Sequence, residues 1–98
     1  MPAYLLTIVS LTARTPAFAE YARRSAELVS RFGGRYLIRG KAAQVLEGSQ
    51  FAERLAVVSE FPDRATATAF YTSPDYQAVK PLRDGTGVYD IGIFDGAP

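Results

Sequence analysis

Hydrophobic positions change their spacing along the chain, and each change predicts a different element. Residues 3–11 are β-prone and apolar at both odd and even positions, which predicts a strand covered on both faces. From Thr15-Pro16 to about Phe32 the apolar residues recur at helical spacing, with Thr15 as the predicted N-cap. Gly33-Gly34 then ends the helix, because glycine readily adopts the left-handed conformation of a helix end.

The middle of the chain predicts two further strands. Alternating residues give a strand at 35–39, which we expect to continue in extended form through 44–47. Gly48-Ser49-Gln50 predicts the turn, and residues 53–61 alternate most clearly of all. These two strands predict a hairpin.

The last third predicts two short helices and a final strand. Asp63 is the predicted cap of a helix at 65–72, and Ser73-Pro74 begins a second short helix that ends by Pro81. Residues 88–94 alternate again. The order β-α-β-β-α-β predicts an α+β, ferredoxin-like fold with a four-stranded antiparallel sheet.

Strict alternation also predicts which residues share a face of that sheet. The helix side is expected to hold Tyr36, Ile38, Leu55, Val57, Phe61, Tyr89, Ile91 and Ile93. The opposite side is expected to hold Arg35, Leu37, Arg39, Arg54, Ala56, Val58, Glu60, Asp90, Gly92 and Phe94. This second face is too apolar for ordinary surface, so two such sheets are expected to close on each other around a shared, charged cavity.

Composition limits the function more than it defines it. The 98 residues predict one domain over 1–98, and 11 Lys and Arg against 10 Asp and Glu offer no attraction for a polyanion. The chain has no cysteine and no histidine, which excludes thiolate metal sites and the common Ser-His or Cys-His catalytic arrangements. Phosphate-binding glycine motifs and the aromatic sheet motif of RNA-recognition domains are also missing, so we predict no nucleic-acid partner and no cofactor.

The first residues do not predict export or membrane insertion. Residues 1–9 are apolar but lack a basic leader, and the apolar run breaks at Ser10. We therefore expect a cytoplasmic protein with no membrane partner.

Several motifs together resemble the DUF1330 family of small bacterial proteins. They are 33–40 (GGRYLIRG), 45–48 (VLEG), 57–62 (VVSEFP), 70–77 (FYTSPDYQ) and 80–83 (KPLR). The resemblance extends over almost the whole chain. It implies a ferredoxin-like protomer of the dimeric α/β-barrel superfamily, a homodimer built sheet to sheet, and a cytoplasmic location. Related barrels include cofactor-free monooxygenases, haem-binding enzymes, isomerases, cyclases and binding proteins, and the lack of histidine argues against the haem branch.

Three arginines are candidate substrate-binding residues. Arg35, Arg39 and Arg54 are predicted to face the shared cavity, where a guanidinium can bind a carboxylate or enolate in a bidentate way. The alternative is that Arg35 and Arg39 pair with Glu47, Glu60 or Asp90 and stabilise the dimer.

Candidate proton carriers are carboxylates and tyrosines, since histidine is absent. Glu60 and Asp90 are the predicted catalytic residues, because burial near Val58 and Phe94 can raise a carboxyl pKa toward neutrality. Tyr71 and Tyr76 are candidate hydrogen-bond donors to a substrate oxygen, although aromatic residues at such positions more often pack in a core.

Two functions follow from these residues. One is a homodimeric protein that binds a small hydrophobic or anionic metabolite and acts on it as a cofactor-independent isomerase, cyclase or lyase. The other is a dimeric binding or accessory protein that leaves the molecule unchanged.

Overall fold

A computed structural model describes all of residues 1–98. It contains the strands β1 (Ala3–Leu11), β2 (Arg35–Lys41), β3 (Leu55–Phe61) and β4 (Gly87–Asp95). Helix α1 (Pro16–Arg31) joins β1 to β2, and α2 (Arg64–Thr72) and α3 (Pro74–Val79) join β3 to β4, followed by a 3₁₀ turn at Lys80–Arg83. None of the helices is both long and apolar enough to cross a bilayer.

The sheet confirms the ferredoxin-like prediction. Its order is β2-β3-β1-β4, and every neighbouring pair is antiparallel. β1 and β3 are therefore central, and β2 and β4 are the edges. The helices cover one face, so the molecule is only 16 Å thick along its shortest axis.

Local signals in the sequence place the helix ends. The Thr15 hydroxyl accepts a hydrogen bond from the Phe18 amide at 3.0 Å, and Asp63 accepts one from the Thr66 amide at 2.7 Å. At the end of α1, Gly33 has a φ of +79°, and the Gly34 amide donates to the Val29 carbonyl at 2.8 Å. These predicted caps are confirmed.

The core lies between the helices and the sheet and is strongly aromatic. Phe70 of α2 is 2% exposed, and its ring centre lies 5.3 Å from that of Phe61 and 5.0 Å from that of Tyr76. Leu28 and Val29 of α1 close the same cluster. Burial of these rings and aliphatic side chains holds the helical layer on the sheet.

The long connection between β2 and β3 differs from the sequence prediction. Residues 42–54 form irregular turns, so the extended segment expected through Glu47 is wrong. β3 begins at Leu55 rather than at Glu53, because Glu53 has a φ of +57° and lies in a turn. A side-chain ion pair between Lys41 and Glu53, 3.1 Å, ties the two ends of this loop together.

A β-bulge in β2 changes the faces of its residues. Tyr36 pairs with Ser59 and Ile38 with Val58, so Leu37 is an extra residue without a partner. The prediction that Ile38 lies under the helices and Arg39 lies opposite them is therefore wrong. Ile38 is on the uncovered side and 54% exposed, whereas Arg39 pairs with Val57 on the helix side.

The uncovered side of the sheet is called the open face below. Its members, identified by register, are Tyr4, Leu6, Ile8, Ser10, Arg35, Ile38, Gly40, Ala56, Val58, Glu60, Val88, Asp90, Gly92 and Phe94. Ile38, Val88 and Phe94 are large apolar side chains that are more than half exposed. The predicted apolar character of this face is confirmed. Ile38 belongs to it, in place of the predicted Leu37 and Arg39.

Candidate functional site

A cleft between α1 and the helix side of the sheet brings aromatic, apolar and charged side chains together. Its volume is about 480 Å³. Four aromatic rings line it, namely Phe18, Tyr21, Tyr36 and Tyr89. Val9, Leu55 and Val57 form apolar parts of the sheet wall. A cleft of this size and lining suits a planar, largely apolar molecule.

Two arginines of the cleft have no carboxylate partner within the protein. Arg39 and Arg14 both line it, and neither forms an ion pair with a carboxylate. Arg23, which also lines the cleft, is by contrast paired with Glu20 and with Glu27. The guanidinium carbon of Arg39 lies 4.7 Å from the centre of the Tyr36 ring, which positions its charge at the cleft.

A small inner pocket of about 50 Å³ deepens the cleft and shares five of its lining residues. Three tyrosines line this inner pocket: Tyr21, Tyr36 and Tyr76. The hydroxyl oxygens of Tyr21 and Tyr76 are 2.8 Å apart and hydrogen-bonded. Burial, and then the neighbouring Tyr76, raise the pKa of Tyr21, and burial raises the pKa of Tyr36. Both phenols are therefore protonated at neutral pH.

Arg83 supplies a further positive charge next to these tyrosines. Its guanidinium carbon lies 4.4 Å from the ring centre of Tyr89 and 5.6 Å from that of Tyr21. No carboxylate pairs with it, Tyr76 and Tyr21 are its hydrogen-bond partners, and its Nε is buried without a partner. The Tyr89 hydroxyl is held by Thr86 at 2.7 Å, which fixes one of the rings that Arg83 contacts.

Predicted site residues lie in different parts of the molecule. Arg39 and Tyr76 belong to the cleft and its inner pocket. Tyr71 lines neither, and its ring packs 5.0 Å from that of Tyr76. Arg54 precedes β3 and donates to the Gln50 side chain at 2.8 Å, so it lies at the base of the loop and not on the open face.

Glu60 and Arg35 meet on the open face. Arg35 donates to Glu60 at 2.9 Å, and the Tyr4 hydroxyl donates to the same carboxylate at 3.1 Å. The Arg35 guanidinium, followed by the Tyr4 hydroxyl, lowers the pKa of Glu60 below its ordinary range. The expectation that desolvation raises this pKa is wrong, because charge pairing outweighs burial. The pairing predicted as the alternative for Arg35 is confirmed within one chain.

Asp90 lies on the opposite half of the open face. It pairs in register with Ile8 of β1, and its side chain is exposed. It forms no ion pair, and β1 and β3 separate β4 from Arg35 on the far edge. The structure therefore brings Glu60 and Arg35 together but leaves Asp90 apart from them.

A larger surface depression of about 780 Å³ runs along α2, but its charged groups already serve the fold. Arg64 donates two hydrogen bonds to Asp95, at 3.1 and 2.8 Å, and Asp63 caps α2. No group of three or more acidic, cysteine or histidine side chains is placed to bind a metal. The cleft is the better candidate because two of its arginines, Arg14 and Arg39, form no ion pair.

Three residues of the cleft region were not predicted from the sequence: Arg14, Tyr21 and Arg83. Tyr21 follows Phe18 by three residues and precedes Ser25 by four, so the helical period alone places it on the inward side of α1. Arg14 and Arg83 lie in connections, where no periodicity indicates direction. Only the folded chain brings them to the tyrosines.

The chain matches one protein family over nearly its whole length, and several solved structures share its fold. The family model described as "Domain of unknown function (DUF1330)" matches residues 2–97. No curated protein matches the chain. Among solved structures, the RPA0582 protein of unknown function from Rhodopseudomonas palustris has a TM-score of 0.74 at 20% identity, covering 99% of this chain and 83% of that one.

Two further solved structures have a similar fold. SnoaB from Streptomyces nogalater, described as a cofactor-independent oxygenase, has a TM-score of 0.69 at 10% identity, with 99% of this chain and 94% of that chain covered. A NIPSNAP-like domain protein from Burkholderia xenovorans has a TM-score of 0.62 at 13% identity, covering 98% and 85%. At such identities the likeness shows a shared fold.

Proposed function

Because the chain belongs to the DUF1330 family, whose description assigns no activity, we propose a function from the site itself. The protein is a homodimeric small-molecule-binding protein. Its ligand is a planar, largely apolar metabolite with one acidic or carbonyl group, and it occupies the cleft between α1 and the sheet. A cytoplasmic location and independence of cofactors stay predictions.

Arg39 carries the proposal. It lines an aromatic cleft, stacks on Tyr36, and has no carboxylate partner in the chain. A guanidinium is always charged at neutral pH and offers a planar set of donors, which matches a carboxylate or an enolate. Arg35, by contrast, is already neutralised by Glu60.

The homodimer is proposed from the open face. Its apolar members include Ile38, Val88 and Phe94, all more than half exposed, while Arg35 and Glu60 neutralise each other. A second copy packed on this face would bury those side chains, and Asp90 is the one acidic side chain of the face that would need a partner from the second copy or contact with water. The cleft lies on the other side of the sheet, so it stays accessible in such a dimer.

A cofactor-free enzyme of this fold is the second candidate. The hydrogen-bonded tyrosines Tyr21 and Tyr76 beside Arg83 favour it, since such donors can stabilise a developing oxyanion. The likeness to SnoaB supports the idea that this fold can host chemistry without a cofactor. Catalysis by Glu60 and Asp90 stays a prediction, and it would require a ligand in the space between two open faces rather than in the cleft.

The test compares an anion with its neutral analogue. Titration calorimetry with 2-naphthoate and 2-naphthamide is expected to show tighter binding of the naphthoate to the wild-type protein. Arg39→Gln should weaken naphthoate binding by about tenfold or more, since a hydrogen bond to a charged group contributes about 1.5–3 kcal/mol. Naphthamide binding should change little.

Arg31→Gln is the matched control, because Arg31 lies on α1, outside the cleft, and is largely exposed. It should leave naphthoate affinity unchanged. Equal losses in both variants, or equal affinity for the acid and the amide, would show that Arg39 does not select an anion in the cleft.

A further inference from the structure

The hydroxyl groups at the inner pocket provide more hydrogen-bond donors than the protein provides acceptors. Tyr21 and Tyr76 together carry two hydroxyl protons, and their mutual hydrogen bond uses only one of them. The Arg83 guanidinium can donate to both hydroxyls, and Ser25 and Arg39 are hydrogen-bond partners of Tyr36. A guanidinium accepts no hydrogen bond, so one O–H donor of the Tyr21–Tyr76 pair has no protein acceptor.

Charge around the inner pocket has a single sign. Arg39 stacks on Tyr36, and Arg83 lies over Tyr21, so each of two lining tyrosines is flanked by a guanidinium. None of the residues that line the inner pocket is an aspartate or glutamate. Free hydroxyl donors beside cations favour a ligand atom that is negatively charged and accepts hydrogen bonds.

Size and donor type indicate which anion fits. The inner pocket is about 50 Å³, roughly a tenth of the 480 Å³ cleft, so it suits a small polar group of a ligand and not its ring system. Hydroxyls that donate singly suit one oxygen atom, whereas a carboxylate with two oxygens is better matched by a guanidinium fork. The wider cleft next to it then accommodates the ring system that bears the oxygen.

We propose that the Tyr21–Tyr76 pair and Tyr36 form an oxyanion site, which binds the ionised oxygen of a phenol or enol at the inner end of the cleft. This inference rests on the proposed function, since the ligand must occupy the cleft to reach the inner pocket. It narrows the ligand class to aromatic or conjugated molecules with an acidic hydroxyl. The tyrosines remain protonated and donate, and Arg83 stabilises the negative charge from behind Tyr21.

The test uses 4-nitrophenol, whose phenolate form absorbs visible light. Absorbance titrations against pH, with and without saturating protein, give the pKa of the bound molecule. The wild-type protein is expected to lower the pKa of bound 4-nitrophenol, corresponding to about tenfold tighter binding of the phenolate than of the phenol. Tyr21→Phe keeps the ring and removes the hydroxyl, so it should abolish most of this preference.

Tyr4→Phe is the matched control, because it removes a tyrosine hydroxyl from the open face, on the other side of the sheet. It should leave the tenfold preference intact. Tyr36→Phe is a second variant of a half-buried ring and should also reduce the preference, and circular dichroism checks the fold of each protein.

The outcomes separate the two proposals. Bound 4-nitrophenol with an unchanged or raised pKa would overturn the oxyanion site, as would a full phenolate preference in both Tyr21→Phe and Tyr36→Phe. Naphthoate binding that depends on Arg39 would still support the proposed function in that case. Failure of both naphthoate and 4-nitrophenol to bind would overturn the cleft as a ligand site altogether.

Discussion

Arg39 stacks on Tyr36 across the helix side of the sheet, with its guanidinium carbon 4.7 Å from the ring centre. Arg39 follows Tyr36 by three positions along the chain, a spacing that in a regular strand would place the two side chains on opposite faces. The unpaired Leu37 restores them to one face. The candidate anion site therefore depends on one extra residue in an edge strand.

Changing the register after the bulge should remove the site without removing the arginine. Inserting one alanine between Ile38 and Arg39 turns Arg39 to the open face, because a shift of one residue reverses the direction of every following side chain. Naphthoate affinity measured by calorimetry should fall to that of Arg39→Gln. An alanine inserted between Ser49 and Gln50, within the irregular loop, is the control and should preserve affinity. Unchanged affinity after the first insertion would contradict this account of β2.

Phe70 should be the largest single contributor to core stability. It is 2% exposed and packs on Phe32, Phe61 and Tyr76. Phe70→Ala should lower the free energy of unfolding by about 3–5 kcal/mol in urea denaturation, through lost burial and the cavity left behind. Phe51→Ala, at an exposed ring in the loop, should change it by less than about 0.5 kcal/mol. Similar losses at both positions would contradict this assignment of the core.

Acid should weaken the fold partly through Glu60. The Arg35 guanidinium and the Tyr4 hydroxyl lower the pKa of Glu60 from its ordinary 4.5, so the folded state favours the carboxylate. Its contribution is fully present above the ordinary value and is lost as the pH falls through the lowered one. The stability difference between wild-type protein and Glu60→Gln should therefore shrink as the pH falls below about 4.5.

Arg35, the ion-pair partner of Glu60, provides the control for the acid experiment. In an Arg35→Gln background the Glu60→Gln change should have a smaller effect at neutral pH, because the ion pair is already absent. Chemical denaturation at several pH values, at one fixed protein concentration, measures both. A pH-independent effect of Glu60→Gln would show that ionisation of this carboxyl does not couple to folding.

The proposed dimer should be sensitive to charge on the open face. Val58 lies on the central strand β3, opposite both Leu6 and Ile38. Val58→Asp would place an unpaired carboxylate in the interface, so sedimentation should show a monomer where the wild-type protein shows a dimer. Val45→Asp, in the exposed loop, should leave the dimer intact. A wild-type protein that remains monomeric at all concentrations tested would contradict the proposal.

Periodicity and cap residues predicted most of the architecture. Thr15, Asp63 and Gly33 act locally, through hydrogen bonds and φ values that depend on neighbouring residues, and all three mark helix ends as expected. The bulge at Leu37 gave no such signal, because neither glycine nor proline marks it and the residues around it still alternate. Assuming strict alternation was enough to place Arg39 on the wrong face.

The candidate site was less predictable than the fold. Arg39 and Tyr76 were both expected to bind ligand, yet their meeting in one cleft depends on contacts between α1, α3 and the sheet. Arg83 follows a short helix, and its approach to Tyr21 is a tertiary contact over 62 positions of chain. Glu60 shows the same limit, since its pKa is lowered first by Arg35, 25 residues away, and then by Tyr4, 56 residues away.

Two consecutive residue pairs of β2 and β3 place their side chains on opposite faces of the sheet. Arg35 faces Glu60 on the open face, and the next pair, Tyr36 and Ser59, lines the inner pocket. A displacement of β2 against β3 would therefore alter the self-association surface and the ligand site together. If ligand binding causes such a displacement, reciprocity requires the dimer to change the ligand's affinity by the same factor that the ligand changes dimerisation. Occupancy of the cleft would then depend on protein concentration as well as on ligand concentration.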